Sequence, residues 1–209
     1  MSQARATDWD AYYSRPFPAA HVTRNYTIAA VRRHLRRLDL PNNPHIVELG
    51  GADSCVYSDI RRHFRPSRYH VVDNNGTGLD RLRQRIVSEQ LVLEQADLLH
   101  WRPRPEADLS LSLGLIEHFD VAGTARIVAA HLDCLHPGGH AVIFFPTPTW
   151  LYRLVRGVAE RLDQWAFHDE RPLRLPEVRE ALGDRAELVD TAMHWPPILT
   201  QRSVVARKA

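Results

Sequence analysis

Lysine is almost missing from this sequence: of 27 Lys and Arg residues, only Lys208 is a lysine. An excess of one charge is missing too, because 25 acidic residues leave a formal charge of +2. So small a total gives no electrostatic case for nucleic acid, although it leaves local clustering open. Cysteine is scarce. Cys55 and Cys134 alone exclude a disulfide framework and a cysteine-rich zinc site, and they read as two reduced, buried apolar residues of a cytoplasmic protein. No run approaches the ~20 apolar residues of a membrane span. The best stretch, Trp150 to Ala159, is broken by Arg153 and Arg156. Met1 to Asp10 has no apolar core, so no secretory signal is expected there. Twelve histidines are present, yet no His-Glu-x-x-His or Cys-x-x-Cys pair occurs, and His136 and His140 flank Pro137-Gly138-Gly139 rather than sharing a helix face. No metal is expected.

What remains is ordinary globular material: 209 residues, 44 % hydrophobic and 25 % charged. A chain of this length buries roughly 70 % of its unfolded surface and needs no covalent staple. Short apolar runs at His45–Leu49, Tyr69–Asp73, Leu91–Glu94, Asp108–Leu113 and His140–Phe145 read as strands. Amphipathic stretches at Tyr57–His63, Leu79–Glu89 and Thr124–Leu135 read as the helices between them. This alternation predicts right-handed βαβ units and a parallel sheet with helices on both faces. Glu187–His194 and Ser203–Arg207, joined by a loop with Pro196–Pro197, read as a terminal antiparallel hairpin. The expected fold is a single Rossmann-like three-layer α/β sandwich with a seven-stranded, mostly parallel sheet. Its parts are an N-terminal cap (1–40), a cofactor-binding core (41–146), an inserted lid (147–183) and the hairpin (184–209).

The cap carries a basic helix, Thr27–Leu38, with Ile28, Val31 and Leu35 on one face. The lid carries a helix over Thr149–Gln164, a polar turn with His168, Asp169 and Glu170, and a short helix, Pro176–Leu182, with Gly183 just past its end. Its first helix spaces Leu151, Val155, Val158, Leu162 and Trp165 helically among Arg153, Arg156 and Arg161. Such spacing predicts packing on the helix's own domain. The same pattern also suits a helix lying on a lipid surface. The polar turn reads as solvated, and Tyr12, Tyr13 and His21 belong to the covering cap, where the tyrosines read as aromatic packing.

The first strand runs into Gly50-Gly51-Ala52-Asp53-Ser54, a small-residue turn that permits close backbone approach. Twenty-three positions after Gly50 comes Asp73, at the end of the second strand, placed for ribose hydroxyls. A dinucleotide would need Gly-x-Gly-x-x-Gly, and Asp53 would repel a pyrophosphate; a P-loop would need a Gly-Lys-Ser/Thr that is absent. A phosphate-free, cationic adenosine cofactor suits this acidic loop better.

These pieces resemble the class I methyltransferases that use S-adenosyl-L-methionine (SAM). Glu48-Leu49-Gly50-Gly51-Ala52-Asp53-Ser54 is similar to the family's first motif, with Ala52 and Ser54 in place of its later glycines. Asp73 matches the ribose-binding acid and Asp97 the acid near the adenine amino group. Ala107-Asp108-Leu109-Ser110-Leu111-Ser112-Leu113-Gly114-Leu115-Ile116-Glu117-His118-Phe119 resembles the fourth-strand motif of many small-molecule members. Leu135-His136-Pro137-Gly138-Gly139-His140 resembles their turn before strand five. The resemblance implies cofactor contacts at Glu48, Gly50, Gly51, Asp73, Asn74, Asp97, Leu98, Ser112 and Gly114, with S-adenosyl-L-homocysteine (SAH) as product. It also implies no nucleic-acid substrate, because the Asn/Asp-Pro-Pro-aromatic segment of amino-methylating nucleic-acid enzymes is replaced by Ser112-Leu113-Gly114-Leu115.

Methyl transfer from a sulfonium mostly requires alignment and desolvation. A base is needed where the acceptor is a hydroxyl, and His118, after the fourth strand, is the candidate. The expected activity is therefore methylation of a small-molecule or glycan-type acceptor, oxygen before nitrogen. Arginine-rich covering segments over an acidic cofactor cleft favour an anionic acceptor, such as a phosphate-bearing glycan or lipid carrier, with peripheral membrane contact open. Two alternatives stay open: a catalytically silent SAM-binding partner subunit, kept alive by Ala52 and Ser54, and a nucleotide-dependent oxidoreductase.

Overall fold

The apolar runs become five parallel strands: β1 (His45–Leu49), β2 (Arg68–Asp73), β3 (Leu91–Gln95), β4 (Ala107–Leu113) and β5 (Leu135–Pro146). Residues 6–14, 20–194 and 200–209 are described by the computed structural model, without the side chains of 14 and 20–23. The Pro196–Pro197 loop and the His21 side chain thus lie outside the described residues. β6 (Ala186–His194) and β7 (Gln201–Lys208) complete a seven-stranded sheet of order β3-β2-β1-β4-β5-β7-β6, in which β7 is antiparallel to both neighbours.

Residues of β1 alternate between two cores, as a strand covered on both faces must. Val47 and Leu49 join Ile127, Val128 and Leu132 of α5 (Val121–Asp133) and Val178 and Leu182 of α7 (Leu175–Leu182). Ile46 joins the opposite core. There Ala30, Val31 and Leu35 of α2 (Ala20–Leu35) pack with Tyr57 and Ile60 of α3 (Tyr57–Phe64) and Leu79 and Leu82 of α4 (Gly76–Arg85). Polar starts were chosen by the chain where helices begin: Asn75 accepts from the Gly78 amide at 2.7 Å and Asp120 from the Gly123 amide at 2.7 Å. Each such cap contributes about 1 kcal/mol.

Three features depart from the sequence reading. Residues 135–139 are part of β5, not a turn before it: Ala107 pairs with Leu135, then the register shifts and Leu109 pairs with His140. Gly138, at φ +84°, accommodates that irregularity. A short helix, α1 (Trp9–Ser14), stands in the cap. Finally, α6 (Trp150–Arg161), capped by Thr149, is fastened to the domain by Tyr152 and Arg156, while Trp150, Leu154 and Val158 face outward.

In the strand order the chain reverses direction of progress between β1 and β4. Ligands of open α/β sheets bind at the carboxyl ends of strands flanking such a switch point. Gly50 follows β1 and Gly114 follows β4, so the fold places both glycine-containing turns at that position.

Candidate active site

The loop after β1 leans on the end of β2. The Gly50 amide donates to the Val72 carbonyl at 2.9 Å, and the Ala52 amide donates to Asp73 Oδ2 at 3.0 Å. Asp73 Oδ1 accepts from the Asn75 amide at 2.8 Å. Gly50 needs to be glycine: its φ is +68°, and a Cβ there would lie 2.6 Å from Leu115 Cδ1. That close approach also shows that the β1 loop and the segment after β4 abut. Gly51 has a different reason, since a Cβ would meet the Glu48 side chain at 2.5 Å.

Glu48 is buried beneath this loop and accepts a hydrogen bond from the Tyr69 hydroxyl at 2.7 Å. Burial pushes its carboxyl up to about 7, against the pull of bonds from Ser54 and Tyr69. Asp73 is raised by burial as well. Tyr13 of α1 lies over the same place. Burial raises its phenol, and the charges of Asp73, Asp53 and Glu48 raise it further, as does Tyr12. Its ring edge lies 3.1 Å from where a Gly78 Cβ would stand. Asp53, expected to face the ligand, is instead paired with Arg85 at 2.8 Å and Arg81 at 3.6 Å. Its charge still reaches Tyr13, so Asp73, Asp53 and Glu48 together set the field there.

The remaining sequence candidates separate. Asn74 is exposed, and its carbonyl accepts from Gln95 Nε2 at 3.0 Å. Asp97 is exposed, accepts from the Leu99 amide at 3.0 Å and meets His100 Nδ1 at 2.7 Å. Both bonds hold its carboxyl below the usual range. Leu98 is buried in the core behind it. Gly114 takes φ +71° at the end of β4. The Ser112 hydroxyl is not turned to the loop: it is fully buried and bonded to His131 Nε2 at 2.9 Å, beside the Ser110–His131 contact of 3.1 Å. Any part it has in a ligand site would use its backbone.

His118 closes a short 3-10 turn after β4 (Ile116–His118). Its Nδ1 lies 2.9 Å from Asp169 Oδ1. Asp169 also accepts from the Thr7 amide at 3.2 Å and from the Thr7 hydroxyl. Hydrogen bonds from Thr7 and His118 outweigh its burial and keep Asp169 below the usual carboxylate range. Asp169 is then an ionised acceptor, so Nδ1 carries the proton and Nε2 the lone pair. Burial lowers the imidazole despite the partial compensation from Asp169, so it is neutral at pH 7. The polar turn read as solvated thus delivers Asp169 to His118; only His168 of that trio is exposed.

Aromatic rings surround this pair. Trp9 meets His118 edge-on at 4.9 Å, and Phe167 lies 6.0 Å from His118 and 5.4 Å from Tyr12. Glu117 is 2 % exposed, and its Oε2 has no hydrogen-bond partner among the described residues. Burial and the charge of Glu170 raise it well above the usual value. Glu117, His118 and Glu170 place polar atoms within 4.8 Å of one another, a grouping their sequence spacing did not announce. Glu170 is bonded by the Tyr152 hydroxyl, and burial pushes it to about 7. Trp9, Thr7 and Phe167 went unnoticed in the sequence, and Glu117 stood in the fourth-strand motif without a role. For Trp9 and Phe167 the only signal was an aromatic density in two segments far apart in the chain.

The sequence matches no protein-family model and no curated protein. Its fold does match solved structures. A chain from the complex between the Haloferax volcanii Trm112 methyltransferase activator and its candidate methyltransferase superposes with a TM-score of 0.77 at 13 % identity, over 98 % of this chain and 99 % of that one. Magnesium protoporphyrin IX methyltransferase from Synechocystis with bound SAH gives 0.70 at 12 %, over 90 % and 84 %. Geranyl diphosphate C-methyltransferase from Streptomyces coelicolor, with SAH and Mg2+, gives 0.66 at 12 %, over 87 % and 76 %. The chain has the class I methyltransferase fold. Within that fold the Gly50 loop and the segment leading to His118 follow the two strands that flank the switch point, and Asp73 stands one strand away, at the end of β2.

The residues present fit a SAM-type cofactor. Asp73 and Glu48 give the cleft negative character, Gly50 and Gly51 leave no Cβ in the loop, and Asp73 stands at the end of β2. A sulfonium with an ammonium group suits that field, and a pyrophosphate does not.

Proposed function

We propose that this protein is a SAM-dependent methyltransferase acting on a small-molecule acceptor, with His118 as general base for an acceptor hydroxyl. The observation that carries this reading is the contact between the two halves of the site. A Cβ on Gly50 would strike Leu115, so the loop for the cofactor and the segment ending in His118 are neighbours. Asp73 would hold the ribose, while Glu48 and the Gly50–Gly51 backbone would face the amino-acid part. The bound cofactor supplies an electrophilic methyl group.

In that transfer the methyl–sulfur bond would break and the cofactor would leave as the neutral thioether SAH, while His118 Nε2 would take the hydroxyl proton of the acceptor. Asp169 orients the ring and stabilises the imidazolium that results, as an ionised carboxylate at 2.9 Å can. Trp9, Tyr12 and Phe167 exclude water around the base. The lowered proton affinity of His118 costs driving force but keeps the ring in its basic form at neutral pH. A nitrogen acceptor that is already neutral needs no such base, which is why oxygen is favoured.

The acceptor side offers acids and aromatics. Arg156 is engaged by Glu160 and the Glu170 carbonyl, and Arg171 by Glu177, the Phe119 carbonyl and Thr124. An anionic group on the acceptor would therefore find its cations outside the pocket. SAH release measured over a panel of hydroxylated and amino acceptors tests the proposal. Turnover with a hydroxyl acceptor that is lost in His118→Ala supports it. SAM binding without turnover on any acceptor points to a silent subunit, and NAD binding in place of SAM overturns it.

A further inference from the structure

Helix α6 is amphipathic, and it turns most of its apolar arc away from the protein. Trp150, Leu154, Val158 and Leu162 recur every four residues, so they form one row along the helix. Their exposures are 71 %, 57 %, 46 % and 62 %. Half of the large hydrophobic side chains exposed among the described residues therefore lie on this one row. Gly157 extends the same open side, because a Cβ there would meet nothing within 4 Å. Only the flank of the arc, Leu151 and Val155, is half covered.

The inward side is held by polar contacts. Tyr152 is buried and donates to Glu170, while Arg156 Nη1 donates to the Tyr152 hydroxyl at 3.0 Å and to the Glu170 carbonyl at 2.8 Å. The Arg156 guanidinium also lies 5.5 Å over the Trp165 ring. The helix is thus fixed in this orientation by bonds that its apolar face does not share. Packing it by the arc instead would bury the row and forfeit those bonds. Tyr152 and Arg156 are the α6 residues that bond Glu170 among the described residues.

Charge identifies the occupant. Arg153 lies beside the row and Arg161 at its C-terminal end; both are exposed and have no ion-pair partner among the described residues. Long basic side chains beside an apolar face can keep their charge at a headgroup while their stems lie on the acyl boundary. Size points the same way. A helix of 12 residues is about 18 Å long, and one face of it offers on the order of 200 Å². A stable protein interface buries about 800 Å² per partner, so this row alone is too small for a second copy. An interfacial helix needs no such area, because the bilayer supplies many shallow contacts.

We infer that α6 docks this protein on an anionic phospholipid surface, with Trp150, Leu154, Val158 and Leu162 in the acyl boundary and Arg153 and Arg161 at the headgroups. The docking stands independently of the methyl-transfer reading. Combined with that reading, it has a consequence for the substrate. Arg156 and Tyr152 tie α6 to Glu170, and the adjacent Asp169 meets His118. The docked helix therefore sets the pocket beside the membrane, where an amphiphilic acceptor partitions.

The test uses the full chain, with vesicles of pure phosphatidylcholine and of phosphatidylcholine mixed with phosphatidylglycerol. The expected result is co-sedimentation with the anionic vesicles only, accompanied by a blue shift of tryptophan emission. Replacing both arginines by glutamine should weaken binding by on the order of tenfold or more. Leu154→Glu combined with Val158→Glu should abolish binding. Both positions are exposed, so circular dichroism and SAH affinity should stay at the wild-type level, and so should turnover of a water-soluble acceptor. Absence of binding to anionic vesicles overturns the inference, as does binding that survives the double glutamate variant. A wild-type dimer in solution that the same variant dissociates also overturns it, because a second copy then covers the row. SAH affinity is read separately by calorimetry, so loss of the methyltransferase reading and loss of the docking surface are distinguishable.

Discussion

Glu48→Gln should make the protein more stable, and by an amount that depends on pH. Glu48 is buried under the glycine loop, and its carboxyl is moved from 4.5 to about 7. The folded chain therefore keeps a proton that the unfolded chain has lost between these two values. Stability attributable to Glu48 falls as pH rises from about 4.5 and stops falling above about 7. Each pKa unit corresponds to about 1.4 kcal/mol, so the loss is on the order of 1 kcal/mol at pH 5 and about 3 kcal/mol at pH 8. Glutamine cannot ionise, and its carbonyl can still accept from the Tyr69 hydroxyl that now lies 2.7 Å from the carboxyl. The gain of the variant over wild type should grow by about 2 kcal/mol between those pH values, or roughly 4–8 °C in Tm for a chain of this size. Urea unfolding at pH 5 and pH 8, compared by midpoint at constant m, measures it. The comparison across pH cancels any fixed difference in packing between the two side chains. Equal stability differences at both values would refute the reasoning, because Glu48 would then be ionised throughout. SAH binding should weaken in the same variant, since the proposed site sets Glu48 against the amino-acid part of the cofactor.

Other outcomes follow from the same contacts. His118→Ala should leave SAH affinity intact and lower turnover about 10²–10⁴-fold; the kcat profile of the wild type should lose activity toward acid, with its limb below 6.5 because burial lowers the imidazole. Asp169→Asn should reduce kcat with little change in SAH affinity, since it removes the orienting carboxylate and not a cofactor contact. Gly50→Ala should cost roughly 1–3 kcal/mol, because it combines a φ of +68° with a clash at Leu115 and neither can relax alone. His131 is buried between Ser110 and Ser112 and is lowered to about 3. It contributes stability above about 6.5 that is lost as pH falls toward 3, and its ring should read neutral by NMR down to about pH 4.

How much of this was visible in the chain depends on the range of the interaction. The parallel strands were legible because each is a short apolar run, the central ones buried on both faces, and Gly50, Asp73 and His118 lie where those strands end. The segment 135–139 misled because Pro137-Gly138-Gly139 has turn composition, yet Leu135 still pairs with Ala107 across the register shift. Asp169 looked solvated because its partners, His118 and Thr7, lie 51 and 162 residues away. The short helix at Trp9–Ser14 has too few residues to show a period. Helix α6 shows the limit most clearly: periodicity located its apolar arc but could not say which side faced the protein. That was decided by the reach of Tyr152 and Arg156 to Glu170.

The central claim is that the loop at Gly50 and the acid at Asp73 form a SAM site. Calorimetric titration of SAH into wild type and into Asp73→Ala tests it most directly. The account predicts saturable one-to-one binding to wild type and its collapse in a variant that remains folded by circular dichroism. Undiminished SAH affinity in Asp73→Ala, or no SAH binding by wild type, would contradict it.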